Sequence, residues 1–156
     1  MASEIGSRQL AQVAIVVRDI EESARRWAAV LGMPVPRFVE TAPGLEVHQT
    51  FRGRPSDARA RLAFFDLGQV QLELIEPLGG ASTWQEALDR DGEGVHHVAF
   101  WVDGMQRSVE SLREHGIALV QRGDMGDGQY AYFDARERLG TTLELLERVR
   151  EERVEG

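Results

Sequence analysis

The chain has 156 residues, enough for one compact domain or two half-domains sharing a core, and 42% hydrophobic with 28% charged residues is the balance of a folded globular protein. A net charge of −8 repels phosphate backbones and anionic membranes, so nucleic acid and lipid surfaces are poor partners, although a local group of arginines could still hold a small anion. The absence of cysteine removes disulfides, thiolate nucleophiles and sulfur-ligated zinc, and the absence of lysine removes Schiff-base chemistry and the phosphate-loop lysine.

In chain order, the run 12–17 (Gln-Val-Ala-Ile-Val-Val) is apolar and β-branched and predicts a strand. Asp19, with Glu22 three residues on, predicts a helix start; Ile20, Trp27, Val30 and Leu31 form its apolar face and Gly32 stops it. A polar loop follows, from Gly44 to Arg61, carrying Glu46, His48, Arg52, Arg54, Asp57, Arg59 and Arg61. Phe64-Phe65-Asp66 and then Leu72-Glu73-Leu74-Ile75-Glu76 read as strands. Between Pro77 and Gly94, Ser82 caps a short helix through Trp84, Gln85 and Leu88. His97 to Val102 predicts another strand, and Met105, Val109 and Leu112 the face of another helix, ending at His115 and Gly116. Tyr132-Phe133-Asp134 and Leu143-Glu144-Leu145-Leu146-Glu147 are the last strands; Arg136 to Arg138 and the tail from Glu147 to Glu155 read as solvated charge. No apolar run reaches the roughly 18 residues of a membrane span, and the first residues lack the basic flank and apolar core of an export signal, so a cytoplasmic location is expected.

These elements repeat. Residues 12–17 align with 97–102, 85 positions later, and each run is followed by a helix. Phe65 aligns with Phe133 and Glu73 with Glu144, offsets of 68 and 71, the difference absorbed by a longer turn from Ala135 to Thr141. The expectation is a single α+β domain over 1–156, with one module at about 8–78, a linker at 79–94 and a second module at about 95–148.

Strand alternation sends Leu72, Leu74, Leu143 and Leu145 toward the helices, and Glu73 and Glu144 the other way. The same parity leaves Gln12, Ala14 and Val16, and His97, Ala99 and Trp101, on the enclosed side; adjacent His96 and His97 should not both face it. Two converging buried carboxylates need a cation. Gln12, Glu73, His97 and Glu144 are therefore candidate ligands of one divalent metal, and one nitrogen with three oxygens suits Mn, Co, Ni, Mg or Zn. Trp101, Tyr132 and Arg122, with Tyr130 and Met125 nearby, are candidates to contact a substrate. The loop arginines either hold an anionic tail or form the outward face of a strand, and the second is favoured.

These residues resemble the pattern of the vicinal oxygen chelate superfamily, which includes glyoxalase I, extradiol dioxygenases, resistance proteins and methylmalonyl-CoA epimerase. The resemblance runs over about residues 10 to 148 and is strongest to the epimerase-like members, through Leu72 to Leu78, Gly92 to Phe100, Val102-Asp103 and Leu143-Glu144-Leu145. It implies two tandem βαβββ modules whose curved mixed sheets form one metal-holding cup, and a homodimer. It carries the metal role to His97, Glu73 and Glu144. At the first ligand position the epimerases have histidine where this chain has Gln12, as glyoxalase I of the human type also has. The resemblance makes Glu144 both ligand and catalytic base, and places the second catalytic acid at Asp57, or at Glu46.

The implied reaction is proton abstraction α to a carbonyl, by a metal-dependent isomerase or epimerase acting on an acyl-CoA such as methylmalonyl-CoA. The alternatives are a glyoxalase-like lyase acting on a thiol–ketoaldehyde adduct, and a non-catalytic protein that binds a drug or metabolite. An iron extradiol dioxygenase wants two histidines and a carboxylate, which Gln12 denies. The expected partner is a small carbonyl compound.

Overall fold

A computed structural model describes residues 3–148. The strands are β1 (Leu10–Val16), β2 (Val39–Glu40), β3 (Thr50–Phe51), β4 (Arg54–Pro55), β5 (Ala60–Asp66), β6 (Gln71–Pro77), β7 (Gly94–Trp101), β8 (Ala118–Met125), β9 (Gly128–Asp134) and β10 (Thr142–Arg148). The helices are α1 (Ile20–Leu31), α2 (Thr83–Asp91), α3 (Met105–Glu114) and the single turn α4 (Arg136–Leu139). All strands form one curved mixed sheet in the order β2-β5-β6-β1-β7-β10-β9-β8-β3-β4. The two similar halves meet at its centre, where β1 runs antiparallel to β7, while β6 and β10 flank them in parallel.

The helices form where the capping signals placed them. The Asp19 side chain accepts from the backbone N–H of Glu22, and Gly32 ends α1 in the left-handed conformation that a residue without a Cβ adopts at least cost. Ser82 likewise accepts from Gln85 N at the start of α2. In each module a carboxylate from the end of the last strand also serves the start of the helix. Glu76 accepts from Ile20 N, and Glu147 accepts from Gly104 N and Met105 N. Glu147 is thus a helix cap rather than free surface charge; the predicted tail beyond Arg148 lies outside the described residues.

The outer sheet face carries two separate cores. Val17, Ile20, Ala24 and Ala28 pack with Ala63, Phe65, Leu72 and Leu74. Met105, Leu112 and Ile117 pack with Phe133, Leu143 and Leu145. Val30, expected on the apolar face of α1, is instead 80% exposed, because the buried stripe runs through Ile20, Ala24 and Ala28. On the concave face a third core joins Ala14, Val16, Ile75 and Ala99 to Tyr130, Tyr132 and Leu146, with Trp84 of α2 packed into it.

Two departures from regular pairing matter for the site. Between β1 and β7 the register skips Ala11 on one strand and His96 on the other, so each is the extra residue of a β-bulge. Both immediately precede a candidate ligand, Gln12 and His97. The second departure is the loop. The segment 41–59 leaves its own module and forms the hairpin β3–β4, whose first strand pairs with β8 at the far edge of the sheet. Gly44 makes this crossing possible: a Cβ there would lie 2.1 Å from the Ser56 carbonyl oxygen.

Candidate metal centre

Four consecutive strands of the sheet, β6, β1, β7 and β10, each bring one candidate residue inward: Glu73, Gln12, His97 and Glu144. Register aligns them, since Ala14 is opposite both Glu73 and His97, and Ala99 is opposite both Gln12 and Glu144. Glu73, His97 and Glu144 are buried, at 6%, 0% and 4% exposure, and their ligand atoms lie within 4.8 Å of one another. His97 Nε2 is 2.8 Å from Glu144 Oε2 and 3.4 Å from Glu73 Oε2.

At 2.8 Å a hydrogen bond would be expected, yet neither His97 Nε2 nor Glu144 Oε2 has a partner in hydrogen-bonding geometry. Buried polar atoms left this way are costly unless something else satisfies them. Imidazole nitrogen and carboxylate oxygens facing one small volume suit a divalent cation, whose charge would balance the two carboxylates. Without one, the electrostatics are tense. Burial pushes the Glu73 carboxyl above its ordinary range, with His97 acting against it. Burial would likewise depress the His97 imidazole, but Glu144 and Glu73 outweigh it and hold the ring up at about 9.

Gln12 lines the same cavity as Glu73 and Glu144, and its Nε2 donates to Gln71 Oε1 at 2.5 Å. That bond uses the amide nitrogen and leaves the carbonyl oxygen as the atom Gln12 could offer a metal. The cavity measures about 320 Å³. Its walls are mainly apolar, from Val39, Leu62, Phe64, Trp84, Met125 and Leu146, with Tyr130 and Tyr132 beside the carboxylates. The crossing segment supplies Thr41, Ala42, Val47 and Gln49.

Gln49 fastens that segment. Its buried Nε2 donates to the carbonyls of Ser56 and Ala58, and its Oε1 accepts from the Tyr130 hydroxyl at 2.7 Å. The same hydroxyl accepts from Gln121 Nε2, whose Oε1 takes the N–H of Thr83 at the start of α2. A buried polar chain therefore ties the closing loop, β9, β8 and α2 together. Farther out, His48 Nδ1 lies 2.7 Å from Asp124 Oδ2, and Asp124 is the third carboxylate lining the cavity among the described residues.

Other expected site residues, Tyr132 excepted, lie elsewhere. Asp57 is exposed, its carboxylate accepting from Leu45 N within the crossing segment, and Glu46 is exposed on the 3₁₀ turn Gly44–Val47. Neither lines the cavity. Arg122 is on the outer sheet face, bonded to Gln129, because a bulge between Leu119 and Gln121 reverses the alternation. Trp101 packs at the concave core but away from the cavity, with the Arg148 guanidinium 4.4 Å from its ring centroid. Arg59 and Arg61 pair with Glu40 and Glu21, the outward-face reading. Tyr132 is beside the site, 5.0 Å from the His97 ring, and its hydroxyl accepts from Trp84 Nε1.

His96, Gln49, Trp84 and Asp124 were not foreseen as site residues. His96 is buried, with its Nδ1 2.8 Å from His97 Nδ1 and its ring edge-on to Tyr132. The expectation that adjacent histidines must face opposite ways fails because of the bulge. The His-His pair was a visible signal, whereas nothing near Gln49 marked it as facing inward, and nothing near Asp124 marked it as lining the cavity.

The family model for the glyoxalase/bleomycin resistance protein/dioxygenase superfamily matches residues 11–133. The chain is 29% identical over 143 residues to the uncharacterized protein YqjC of Bacillus subtilis, covering 89% of this chain and 91% of that one. It is 26% identical over 120 residues to the ethylmalonyl-CoA/methylmalonyl-CoA epimerase of Cereibacter sphaeroides, covering 74% and 77%. Its fold matches the crystal structure of methylmalonyl-CoA epimerase from Mycobacterium tuberculosis with a TM-score of 0.65, 21% identity and coverage of 96% and 93%. Inward carboxylates and imidazole on a duplicated curved sheet, together with a model match over most of the chain, place this protein in the glyoxalase/bleomycin resistance protein/dioxygenase superfamily.

Proposed function

We propose that the protein is a divalent-metal-dependent epimerase that removes and returns the proton α to the carbonyl of a small acyl thioester such as methylmalonyl-CoA. The observation that carries this reading is the buried Glu73–His97–Glu144 cluster, with unsatisfied atoms on His97 and Glu144, opening into an apolar cavity. Relatives named as epimerases of acyl-CoA thioesters support it. Glu73, His97 and Glu144, with the Gln12 carbonyl oxygen, would hold the ion. When bound, a divalent metal supplies electrophilic stabilisation of the negative charge that develops on the carbonyl oxygen.

The chain's own residues do the rest. A Glu144 oxygen takes the α-proton; the carbon–hydrogen bond breaks and its electron pair passes into the enolate. A proton delivered to the other face of the same carbon gives the epimer. Asp124 is a better candidate for that second role than Asp57 or Glu46, because it lines the cavity, and His48 Nδ1 lies 2.7 Å from its carboxylate. The apolar walls and the segment fastened by Gln49 keep water from the carbanionic centre. A homodimer is the expected assembly, to be checked by light scattering.

The test is α-proton exchange in deuterated water with methylmalonyl-CoA, on protein of measured metal content. Exchange with racemisation, dependent on metal and lost in Glu144→Gln, is the expected result. The Gln-Glu-His-Glu set favours, as second reading, a lyase acting on a thiol–ketoaldehyde adduct; turnover of that adduct without exchange of the thioester would select it. Failure to retain any of Mn, Co, Ni or Zn would overturn both and leave a binding protein.

A further inference from the structure

The reading of His97 as a metal ligand leaves its neighbour without a role, and the inference here rests on that reading. In a regular strand His96 would leave the sheet on the face opposite His97. The bulge prevents this, and the His96 ring lies against His97 and Tyr132 on the concave side. The equivalent bulge residue of the first module, Ala11, also packs against the concave core, so the inward turn belongs to the backbone of both modules. Only the second module places an imidazole there.

Two ring nitrogens 2.8 Å apart in a buried site share one proton between them. With none, two lone pairs would face each other; with two, the hydrogens would collide. If His96 were the donor, His97 would need its other nitrogen protonated to stay neutral, and Nε2 could not ligate. If His97 is the donor, its neutral form keeps the lone pair on Nε2, facing the space shared with Glu73 and Glu144. Ligating histidines commonly hold their second N–H on a carboxylate or carbonyl acceptor. A third carboxylate would add negative charge to a buried site that already has two, whereas a neutral imidazole accepts without adding any.

We propose that His96 is a positioning residue: its Nδ1 accepts the Nδ1–H of His97 and so fixes the tautomer and orientation in which His97 Nε2 faces the metal site. The T-shaped packing of His96 on Tyr132 and its burial hold the acceptor still.

The experiment compares wild type, His96→Asn and His96→Leu. Asparagine places an acceptor oxygen close to the ring Nδ1 position, and leucine keeps bulk without an acceptor. Zinc affinity is measured by competition with a chelator, thermal melting monitors the fold, and ¹⁵N NMR of the histidine side chains reports which nitrogens carry protons. His96→Leu is expected to bind zinc about 10- to 100-fold more weakly, with His97 no longer in one tautomer, and His96→Asn to recover most of the affinity. Equal affinity in His96→Leu and wild type overturns the proposal. So does loss in His96→Asn as large as in His96→Leu when both melt like wild type, since that pattern reports packing. The wild-type NMR spectrum decides even if His96→Leu does not fold: protonation at His96 Nδ1 instead of His97 Nδ1 sinks the assignment. Wild type that binds no zinc but carries the proton on His97 Nδ1 refutes the metal reading and leaves the imidazole pairing standing.

Discussion

The two modules are built alike and finished differently. Each starts with a strand bulged one residue before a candidate ligand, continues into a helix capped by a glutamate from its own last strand, and ends with an inward glutamate three residues before that cap. The second completes the plan with β8, a full strand of eight residues. The first stops its corresponding strand after two residues and sends segment 41–59 to the other module's edge. Duplication thus supplied matching positions at the centre of the sheet, while closure of the cavity came from the element in which the copies diverge. The centre diverges more quietly: Gln12 is held by Gln71 across a parallel strand pair, and His97 contacts an imidazole from its own strand.

The largest expected effect comes from the glutamate pair. Glu144→Gln is expected to lower α-proton exchange by about 10²- to 10⁴-fold. Glu73→Gln should act mainly through metal retention, so exchange assays at saturating metal separate the two equivalent positions. Equal losses at saturating metal would mean that the modules share the base role.

The first-strand pair comes next. His97→Ala is expected to lower metal affinity by about tenfold or more, and Gln12→Ala by less, since a neutral amide oxygen is the weaker donor. Chelator competition checks the order; a reversal would place the principal ligand in the first module.

The closing segment is tested by Gly44→Ala. The added methyl must displace the Ser56 carbonyl or the Gln49 amide, at a cost of about 1–3 kcal/mol, or a fall in Tm of about 2–4 °C per kcal/mol. Hydrogen exchange should rise in 41–59 and along β8 while β9 and β10 stay protected. Uniform loosening would show that the hairpin is integral to the core.

The smallest effect separates the helix caps. Asp19 supports α1 alongside Glu76, whereas α3 begins at Gly104 without a side-chain cap of its own and relies on Glu147. Glu147→Gln should cost about 1 kcal/mol at neutral pH, and Glu76→Gln less. Burial would raise the Glu147 carboxyl, but Gln129 and the N–H groups of Met105 and Gly104 outweigh it and hold it below its ordinary value of 4.5. Its contribution is complete above that value and is lost as pH falls through the lowered one. Denaturant midpoints for wild type and Glu147→Gln should therefore converge in acid.

How much of this was legible depended on regularity. Period-two alternation placed Glu73, Glu144, Gln12 and His97 on one face, because the strands between those residues and their apolar neighbours are regular. It failed at His96, where one inserted residue turns the side chain inward and leaves no compositional trace; a similar insertion turns Arg122, named only as a substrate contact, to the outer face. Repeat alignment even paired Glu76 with Glu147, without disclosing that both cap helices, because their targets lie 56 and about 43 residues upstream. The segment 41–59 has neither period. Its path is set by one close backbone approach at Gly44 and one buried amide at Gln49, so Asp57 and Glu46 could be named as acids while their distance from the cavity stayed hidden.

The donated hairpin has a consequence for how the chain folds. A repeat protein whose copies touch only along one seam can, in principle, lose one copy and keep the other. Here, cutting the chain within the linker would strip β8 of its edge partner and leave 41–59 with no strand to dock on. The halves should therefore unfold in a single cooperative transition, with the long-range pairing of β3 with β8 among the slower contacts to form.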